Sequence, residues 1–240
     1  MIELLAPAKL TVSLRLTGVR HDGYHLIDAE MVSLDLADRL TITDGAGVVF
    51  TGAHAGAMAG ETDGSDLVSR ALRMVGRTDV RVVVEKNIPA GAGLGGGSSD
   101  AAAILRWAGF DDLEAAARLG ADVAYCLVGG RARVRGIGEI VEPLAYRERT
   151  FTLLTPPVHC STPTVYRVWD EMGGPIAGPN AVEPNDLTEA AIAAFPEIVR
   201  WRDELAKASG QAPRLAGSGS TWFVEGRYPG AGLQVVTTVR

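Results

Sequence analysis

Cysteine is scarce in this sequence: Cys126 and Cys160 are the only two among 240 residues. Two cysteines are too few for a disulfide scaffold, and neither belongs to a CxxC pair or accompanies a histidine cluster. These absences argue against a secreted, disulfide-rich fold and against a cysteine-based metal centre. We therefore expect a protein of the reducing cytoplasm that holds no metal with its own side chains.

Long apolar stretches and a surplus of basic residues are also absent. No window reaches the roughly 20 apolar residues of a membrane-spanning helix, and the N-terminus does not resemble a signal segment. The 23 basic residues are outnumbered by 29 acidic ones, giving a net charge of −6 without a long run of either sign. We therefore expect neither membrane nor nucleic-acid binding, and an anionic substrate would have to meet local charges.

Apolar spacing predicts strands and helices without the regular alternation of a doubly wound sheet, which favours an α+β fold. Predicted strands cover residues 2–16, 31–43, 80–85, 132–141 and 151–154, and a strand–turn–strand surrounds "RLAGSGSTWFVEG". Predicted helices cover residues 66–75, 99–108, 113–119, 187–194 and 197–208, with another after Thr164. The charged turn "YRER" predicts a boundary between domains at residues 1–148 and 149–240.

A glycine- and serine-rich stretch, "IPAGAGLGGGSSDAAA" at residues 88–103, separates a predicted strand from an alanine-rich helix. Glycines let a backbone curl tightly around a ligand, and a helix beginning at Ser98 and Ser99 would direct unpaired N–H groups into that curl. Such a site suits phosphate. The two serines could cap the helix, donate hydroxyls to phosphate or help to hold a metal ion bound to it.

Other phosphate loops and a plain turn are the alternatives for this stretch. A Walker A loop requires a lysine after its glycines, and none lies between Gly91 and Ala103. Gly91, Gly93 and Gly96 satisfy the dinucleotide pattern GxGxxG of an oxidoreductase. However, no second strand ending in Asp or Glu follows about 20 residues later, as that motif requires. A merely flexible turn before a capped helix remains open.

The sequence resembles the GHMP kinases. "PAGAGLGGGSSDAAA" is similar to their central phosphate-binding motif in its longer GLGGGSS form. "APAKLTVSLRLTGVRHDGYH", "LGADVAYCLVGG" and "RLAGSGSTWFV" resemble other motifs of the branch that acts on a CDP-linked methylerythritol. The resemblance covers nearly the whole chain. It implies a GHMP kinase fold, with an N-terminal ATP-binding domain like ribosomal protein S5 and a ferredoxin-like C-terminal domain.

The resemblance also implies an activity: ATP-dependent phosphorylation of the 2-hydroxyl of the CDP-linked methylerythritol in the non-mevalonate isoprenoid pathway, with Mg²⁺ on the nucleotide. Phosphoryl transfer to an alcohol needs positive charge and a group that orients or deprotonates the hydroxyl. Lys9 could stabilise charge on the acceptor oxygen, and Asp122 could be the general base. Taken alone, Lys9 could be a solvated strand-end lysine and Asp122 a helix cap. The resemblance assigns them as the catalytic pair.

Binding residues follow from the same resemblance. Lys86 and Asp66 would lie near the adenine of ATP. The phosphate cradle would comprise Pro89, Gly91, Gly93, Leu94, Gly95, Gly96, Gly97, Ser98 and Ser99. Gly217 and Gly219 would bring a second turn against the substrate phosphates, with a plain hairpin as the alternative.

The substrate base is expected between aromatic side chains. Tyr24 and Tyr166 would stack on the two faces of the cytosine, with Thr162 nearby, and His25 would exchange hydrogen bonds with its polar edge. Taken alone, a Tyr–His pair after an Asp–Gly turn is more often structural, whereas the DGYH motif favours the binding role.

Two alternatives within the GHMP fold remain: a kinase for homoserine or mevalonate derivatives, and a catalytically silent binding protein. The tyrosines argue against the first, because those substrates carry no base, and Lys9 and Asp122 argue against the second. The sequence departs from the family pattern at Thr11 and Asp66, where asparagine is usual, and at Ala124, where proline is usual. We expect a small-molecule substrate and a monomer or weak homodimer.

Overall fold

The computed structural model describes residues 1–56, 59–174 and 184–240. Its strands are β1 (Ile2–Val19), β2 (His25–Asp44), β3 (Gly47–Thr51), β4 (Gly60–Glu61), β5 (Val80–Glu85), β6 (Arg131–Gly136), β7 (Ile140–Pro143), β8 (Thr150–Leu154), β9 (Arg214–Leu215), β10 (Trp222–Glu225) and β11 (Gln234–Val239). Its α-helices are α1 (Leu67–Met74), α2 (Gly96–Trp107), α3 (Leu113–Leu119), α4 (Val123–Val128), α5 (Thr162–Glu171), α6 (Thr188–Ala194) and α7 (Val199–Ser209). A 3₁₀ turn at Pro196–Ile198 precedes α7.

The long strand β2 organises the sheet. β1 pairs antiparallel with it over nearly its whole length, from Ile2 opposite Ile42 to Val19 opposite His25. On its other edge, β2 pairs in turn with β6, β11 and β5. The strand order β4-β3-β5-β2-β11-β8-β10-β9 continues the sheet in both directions. Because β11 pairs with both β2 and β8, N-terminal and C-terminal strands share one sheet.

Alanine lets helix α2 lie close to the sheet. Ala101, Ala102 and Ala103 are almost completely buried, and α2 packs against β1, α1 and α4. Since these side chains are small, the helix backbone approaches its neighbours without leaving voids. The glycine loop runs directly into α2, so this packing fixes the loop over β1.

A second buried cluster lies on the loop side of the sheet. It joins Ile88 and Leu94 of the glycine loop to Leu10 of β1, Phe151 of β8 and Phe223 of β10. The rings of Phe151 and Phe223 meet edge to face with their centroids 5.8 Å apart. The loop is therefore anchored to both halves of the chain.

The α+β class is confirmed, and the predicted strand 80–85 and helix 113–119 have the observed bounds. Helix α2 begins at Gly96 rather than at residue 99, because Gly95 takes the left-handed conformation at the N-cap and lets the glycines form the first turn. The single strand predicted at 132–141 is wrong: β6 and β7 form a hairpin whose turn contains Gly136 and Gly138 at positive φ.

Helix α4 and strand β11 were not predicted. The apolar residues of α4 are buried over almost its whole length, so it lacks the polar face that signals a surface helix. β11 lies beyond the last predicted strand and is inserted between β2 and β8. The division at residues 148 and 149 falls between β7 and β8 and stays a prediction. Within the described ranges, no helix has the length and apolar character to cross a membrane.

Candidate active site

A cavity of about 860 Å³ lies between the glycine loop and helices α1, α3 and α5. All but three of the predicted site residues line it: Lys9, Tyr24, His25, Asp66, Lys86, Pro89, Gly91, Gly93, Gly95, Gly96, Gly97, Ser98, Asp122, Thr162, Tyr166 and Gly217. The exceptions are Leu94, Ser99 and Gly219. The fold thus brings most of the predicted nucleotide and substrate residues to one space.

The glycine loop requires glycine at several positions. Gly91, Gly93 and Gly95 have φ values of 67°, 78° and 68°, in the left-handed region. A Cβ on Gly93 would lie 2.3 Å from the carbonyl oxygen of Ala216, so the loop touches the "AGSGS" turn directly. A Cβ on Gly95 would lie 2.6 Å from Cγ of Lys9. The curl of the loop and its contacts on both sides therefore exclude side chains.

Backbone hydrogen bonds hold this loop in place. The N–H of Lys9 donates to the carbonyl of Leu94 at 2.9 Å, and the N–H of Thr221 donates to the carbonyl of Ala92 at 3.1 Å. Leu94 is buried in the core beneath. The Ser99 hydroxyl donates to the carbonyl of Pro7 at 2.6 Å. Leu94 and Ser99 thus support the cradle from behind.

The first turn of α2 opens towards the loop. Its first intrahelical hydrogen bond runs from the N–H of Ser99 to the carbonyl of Gly95 at 2.9 Å. The N–H groups of Gly96, Gly97 and Ser98 precede that bond, and all three residues line the cavity. Unpaired N–H groups at a helix start attract anions, so this segment can hold phosphate.

Lys9 and Asp122 form an ion pair inside the cavity. Nζ of Lys9 lies 3.1 Å from Oδ2 of Asp122, with side-chain exposures of 7% and 31%. The same ammonium donates to the Thr11 hydroxyl at 3.2 Å. Asp122 occupies the N-cap position of α4, but its side chain makes no capping hydrogen bond. The helix-cap alternative is therefore wrong, and so is that of a solvated lysine.

The negative charge of Asp122 contributes to the raised pKa values of two neighbouring groups. Burial raises the pKa of Tyr166 above its usual range, and the Asp122 carboxylate adds to that rise. Burial likewise raises the pKa of the Cys126 thiol to about 12, again with a contribution from Asp122. Both groups are neutral near pH 7, so neither adds a charge beside the Lys9–Asp122 ion pair.

Lys86 lies between two buried carboxylates. Its ammonium donates to Oδ2 of Asp38 and, at 2.6 Å, to Oδ2 of Asp100. Oδ1 of Asp38 accepts hydrogen bonds from the N–H groups of Asn87 and Ile88 at 2.5 and 2.8 Å. The buried triad therefore ties the start of the glycine loop to β2 and α2. Lys86 lines the cavity as predicted, but its charge is neutralised there.

Asp100 is the least well satisfied member of that triad. It is fully buried, and its Oδ1 has no hydrogen-bond partner among the described residues. Burial raises its pKa to about 7; the Lys86 ammonium opposes this shift and the Asp38 carboxylate adds to it. Two carboxylates thus compete for one cation.

Asp66 caps helix α1. Its Oδ1 accepts from the N–H of Ser69 at 2.8 Å, and its Oδ2 accepts from the hydroxyls of Ser69 and Thr62 at 2.6 and 2.8 Å. Both carboxylate oxygens are therefore engaged in local structure. Asp66 still lines the cavity, and its predicted place near the adenine stays a prediction.

A further part of the cavity wall, here called the aromatic end, carries aromatic side chains. Tyr24 is 57% exposed, and the Arg20 guanidinium lies 5.4 Å from its ring centroid. The rings of His25 and Tyr166 are 4.7 Å apart and inclined by 46°, and Trp169 meets His25 edge-on at 5.4 Å. Flat rings of this kind can stack on a nucleobase.

The "AGSGS" turn reaches the Lys9–Asp122 ion pair. A Cβ on Gly217 would lie 3.6 Å from Nζ of Lys9, and the Ser218 hydroxyl hydrogen-bonds to Thr162 at 2.7 Å. Nδ2 of Asn185 donates to the carbonyl of Gly217 at 2.7 Å. Gly219 faces the core instead, against Leu215 and Cys160. The turn is thus more than a plain hairpin at Gly217, whereas Gly219 does not reach the cavity.

Comparisons with known proteins show the family to which this chain belongs. The family model for the GHMP kinases N terminal domain matches residues 66–130. A 4-diphosphocytidyl-2-C-methyl-D-erythritol kinase of Paracoccus denitrificans is 41% identical in an alignment 238 residues long. The match covers 91% of this chain and 84% of the relative. The chain belongs to the 4-diphosphocytidyl-2-C-methyl-D-erythritol kinase family.

Solved structures agree with this family. The crystal structure of a 4-(cytidine 5'-diphospho)-2C-methyl-D-erythritol kinase superposes with a TM-score of 0.77 at 32% identity, covering 98% of each chain. A homoserine kinase from Cytophaga hutchinsonii has a TM-score of 0.61 at 17% identity, covering 99% of this chain and 94% of that chain, and shows the shared fold alone. The GHMP kinase fold is thereby confirmed.

Several residues of the candidate site were not predicted from the sequence. Thr11, at a position where the family usually has asparagine, binds the Lys9 ammonium. Asp38 and Asp100 neutralise Lys86, and Asp170 hydrogen-bonds to His25. Asp100 directly follows the serine pair of the glycine motif, which is the one signal in the sequence that could have indicated its place.

Proposed function

We propose that this chain transfers the γ-phosphoryl group of ATP to the 2-hydroxyl of 4-diphosphocytidyl-2-C-methyl-D-erythritol. The observation that carries the proposal is the pair of Lys9 and Asp122, 3.1 Å apart. It lies in a cavity shared by a phosphate-type glycine loop and an aromatic end. The relatives named above carry the same activity in their names.

Asp122 is the proposed base. Its carboxylate accepts no capping hydrogen bond from α4 and is 31% exposed, so it can receive the proton of the acceptor hydroxyl as the oxygen attacks phosphorus. The ammonium of Lys9, held by Asp122 and Thr11, stabilises the negative charge that develops on that oxygen and on the transferred group. The proton is retained by Asp122, while the bond between the γ-phosphorus and the bridging oxygen of ATP breaks and ADP is the leaving group.

The glycine loop is the proposed site for the triphosphate. Its N–H groups at Gly96, Gly97 and Ser98 precede the first intrahelical bond of α2, and backbone donors of this kind hold anions in a fixed position. The rigid attachment of the loop to β1 and to the "AGSGS" turn keeps ATP in line with the acceptor. Positioning of this kind supplies much of the rate enhancement in phosphoryl transfer.

Mg²⁺ is proposed to arrive with the nucleotide. In the described part of the chain, no cluster of three or more His, Cys, Asp or Glu side chains could hold a metal ion. Kinase Mg²⁺ ions commonly rest on substrate phosphates and one or two side chains, and the Ser98 hydroxyl in the cavity wall fits that requirement. When bound, the ion neutralises charge on the phosphates.

The aromatic end favours a nucleotide-linked acceptor over homoserine or mevalonate. Tyr24, His25 and Tyr166 line the cavity together, and a small aliphatic acceptor offers these rings nothing to stack on. We also propose the reducing cytoplasm as the place of action, because Cys126 and Cys160 are both buried free thiols.

A coupled assay of ADP release tests this function. The purified chain is given ATP and Mg²⁺ with 4-diphosphocytidyl-2-C-methyl-D-erythritol, homoserine, mevalonate or no acceptor, and the Asp122→Asn variant is the matched control. We expect rapid ADP release only with the cytidine-linked acceptor and only in the wild type. Preferential use of homoserine or mevalonate would assign the chain to another GHMP activity.

A further inference from the structure

Asp170 stands just outside the cavity wall and holds a residue inside it. Its Oδ1 lies 2.8 Å from Nε2 of His25, whereas only His25 of the two lines the cavity. The His25 side chain is 12% exposed and that of Asp170 is 49% exposed. Any influence of Asp170 on a ligand must therefore pass through the imidazole ring.

Helix α5 fixes that ring from three directions. Tyr166 lies against it at 4.7 Å, Trp169 meets it edge-on at 5.4 Å, and Asp170 binds Nε2. Residues spaced by three and four positions share one face of a helix. Because His25 is the first residue of β2, these contacts also fasten the start of that strand to α5.

The carboxylate determines which ring nitrogen carries the proton. A neutral imidazole has one N–H donor and one acceptor nitrogen, and an ionised carboxylate only accepts. Nε2 of His25 must therefore be the donor to Asp170, which leaves Nδ1 as an acceptor. Among the described residues, no hydrogen bond involves Nδ1. The imidazole of this cavity-lining residue thus has one acceptor nitrogen, Nδ1, and no second N–H donor.

We propose that Asp170 is a positioning residue that sets the base specificity of this site. By keeping the proton of His25 on Nε2, it keeps Nδ1 ready to accept a hydrogen bond from the exocyclic amino group of cytosine. Uracil has a carbonyl oxygen at that position, which would face the acceptor nitrogen without a proton between them. The proposal rests on the proposed function, since it concerns the base of that substrate.

Kinetics with two acceptors test the role of Asp170. The ratio of kcat/KM for the cytidine-linked acceptor to that for its uridine analogue is measured at pH 8 for the wild type, Asp170→Asn and Asp170→Glu. An amide can donate as well as accept, so Asp170→Asn releases the tautomer of His25. We expect that variant to lower the ratio roughly tenfold to a hundredfold, the effect that loss of an outer hydrogen-bond partner has on metal-binding histidines. Asp170→Glu should keep part of the wild-type ratio, and the KM for ATP should not change in either variant.

Glu171→Gln is the matched control. It removes the same charge from the next position of α5, where, within the described ranges, Glu171 forms an ion pair with Arg167 on the exposed face. Its ratio should equal that of the wild type. An equal fall in Glu171→Gln, or an unchanged ratio in Asp170→Asn, would overturn the role of Asp170. A wild type inactive with both acceptors would overturn the proposed function and the base specificity together.

The tautomer is measured independently of activity. ¹⁵N NMR of the imidazole nitrogens of His25 at pH 8 should show a protonated Nε2 and an unprotonated Nδ1 in the wild type and in Glu171→Gln. Asp170→Asn should show exchange between both tautomers. A ring protonated on both nitrogens at pH 8, or on Nδ1 alone, would overturn the proposal, because Nδ1 would then be a donor suited to uracil.

Discussion

Replacing Gly95 by alanine perturbs the glycine loop and the proposed catalytic lysine, Lys9, at once. Gly95 has φ 68°, and the left-handed conformation costs an L-residue about 1–2 kcal/mol. The new Cβ would lie 2.6 Å from Cγ and 3.1 Å from Cε of Lys9. Lys9 is only 5% exposed, so its stem has little room to retreat, and overpacking of this kind costs about 1–3 kcal/mol. Together these effects predict a loss of about 2–5 kcal/mol in the free energy of unfolding.

The matched control is Gly97→Ala in the same helix. A Cβ on Gly97 would make only an ordinary contact, 3.8 Å from Cδ1 of Leu67, and alanine forms helix better than glycine by up to about 1 kcal/mol. Urea unfolding should therefore show Gly95→Ala destabilised and Gly97→Ala unchanged or stabilised. The folded Gly95→Ala protein should also turn over more slowly, because Lys9 is pushed away from Asp122. Wild-type stability in Gly95→Ala would refute the packing of the loop on Lys9.

Four further outcomes are expected. Asp122→Asn should lower kcat by about 10²–10⁴-fold in a protein that still folds, as judged by circular dichroism; wild-type turnover would remove Asp122 as the base. Lys86→Met should lower the free energy of unfolding by about 3–5 kcal/mol in urea titrations, because Asp38 and Asp100 lose their shared cation; a neutral effect would contradict the buried triad. Since the pKa of Asp100 rises from 3.8 to about 7 on folding, its protonation stabilises the native state at low pH, and this contribution is lost as pH rises from about 4 to about 7. Unfolding free energies at several pH values should show that slope, at most about 1.4 kcal/mol per pH unit, and Asp100→Asn should remove it. Tyr166→Ala should raise the KM for the cytidine-linked acceptor by the equivalent of about 1–3 kcal/mol of lost stacking and leave the KM for ATP unchanged; the reverse pattern would contradict the base pocket.

The glycine-loop end of the candidate site could be predicted from the sequence because its residues are contiguous. The glycine loop is contiguous, its glycines have no side chains to displace, and the helix that follows is rich in alanine. Lys9 and Asp122 lie in equally compact motifs. Their proximity could not be derived from spacing, but the family resemblance implied it by assigning them as one pair.

Contacts between distant residues could not be predicted. Lys86 contacts Asp38, 48 positions away, and Asp100, 14 positions away. Only the structure shows that these carboxylates neutralise its charge, so that the charge is not available to adenine. Asp170 lies 145 positions from His25, and an acidic residue near the end of an amphipathic helix gives no sign of such a partner.

Strand β11 shows the same limit for the fold. The segment "QVVTTV" follows a glycine- and proline-containing stretch and is short enough to pass for an irregular tail. Its strand character comes from pairing on both sides, with β2 through Thr238 and Val239 and with β8 through residues 234–237. Tertiary pairing therefore determines the conformation of this segment more than its own propensity does.

The most direct test of the central claim is the position of the new phosphate. The purified chain is incubated with ATP, Mg²⁺ and 4-diphosphocytidyl-2-C-methyl-D-erythritol, and the product is examined by ³¹P NMR and mass spectrometry. The account predicts one added phosphoryl group, as a monoester on the 2-hydroxyl, with one ADP formed for each product molecule and none in the Asp122→Asn variant. ADP formation without a new monoester, or a phosphate on another hydroxyl, would contradict it.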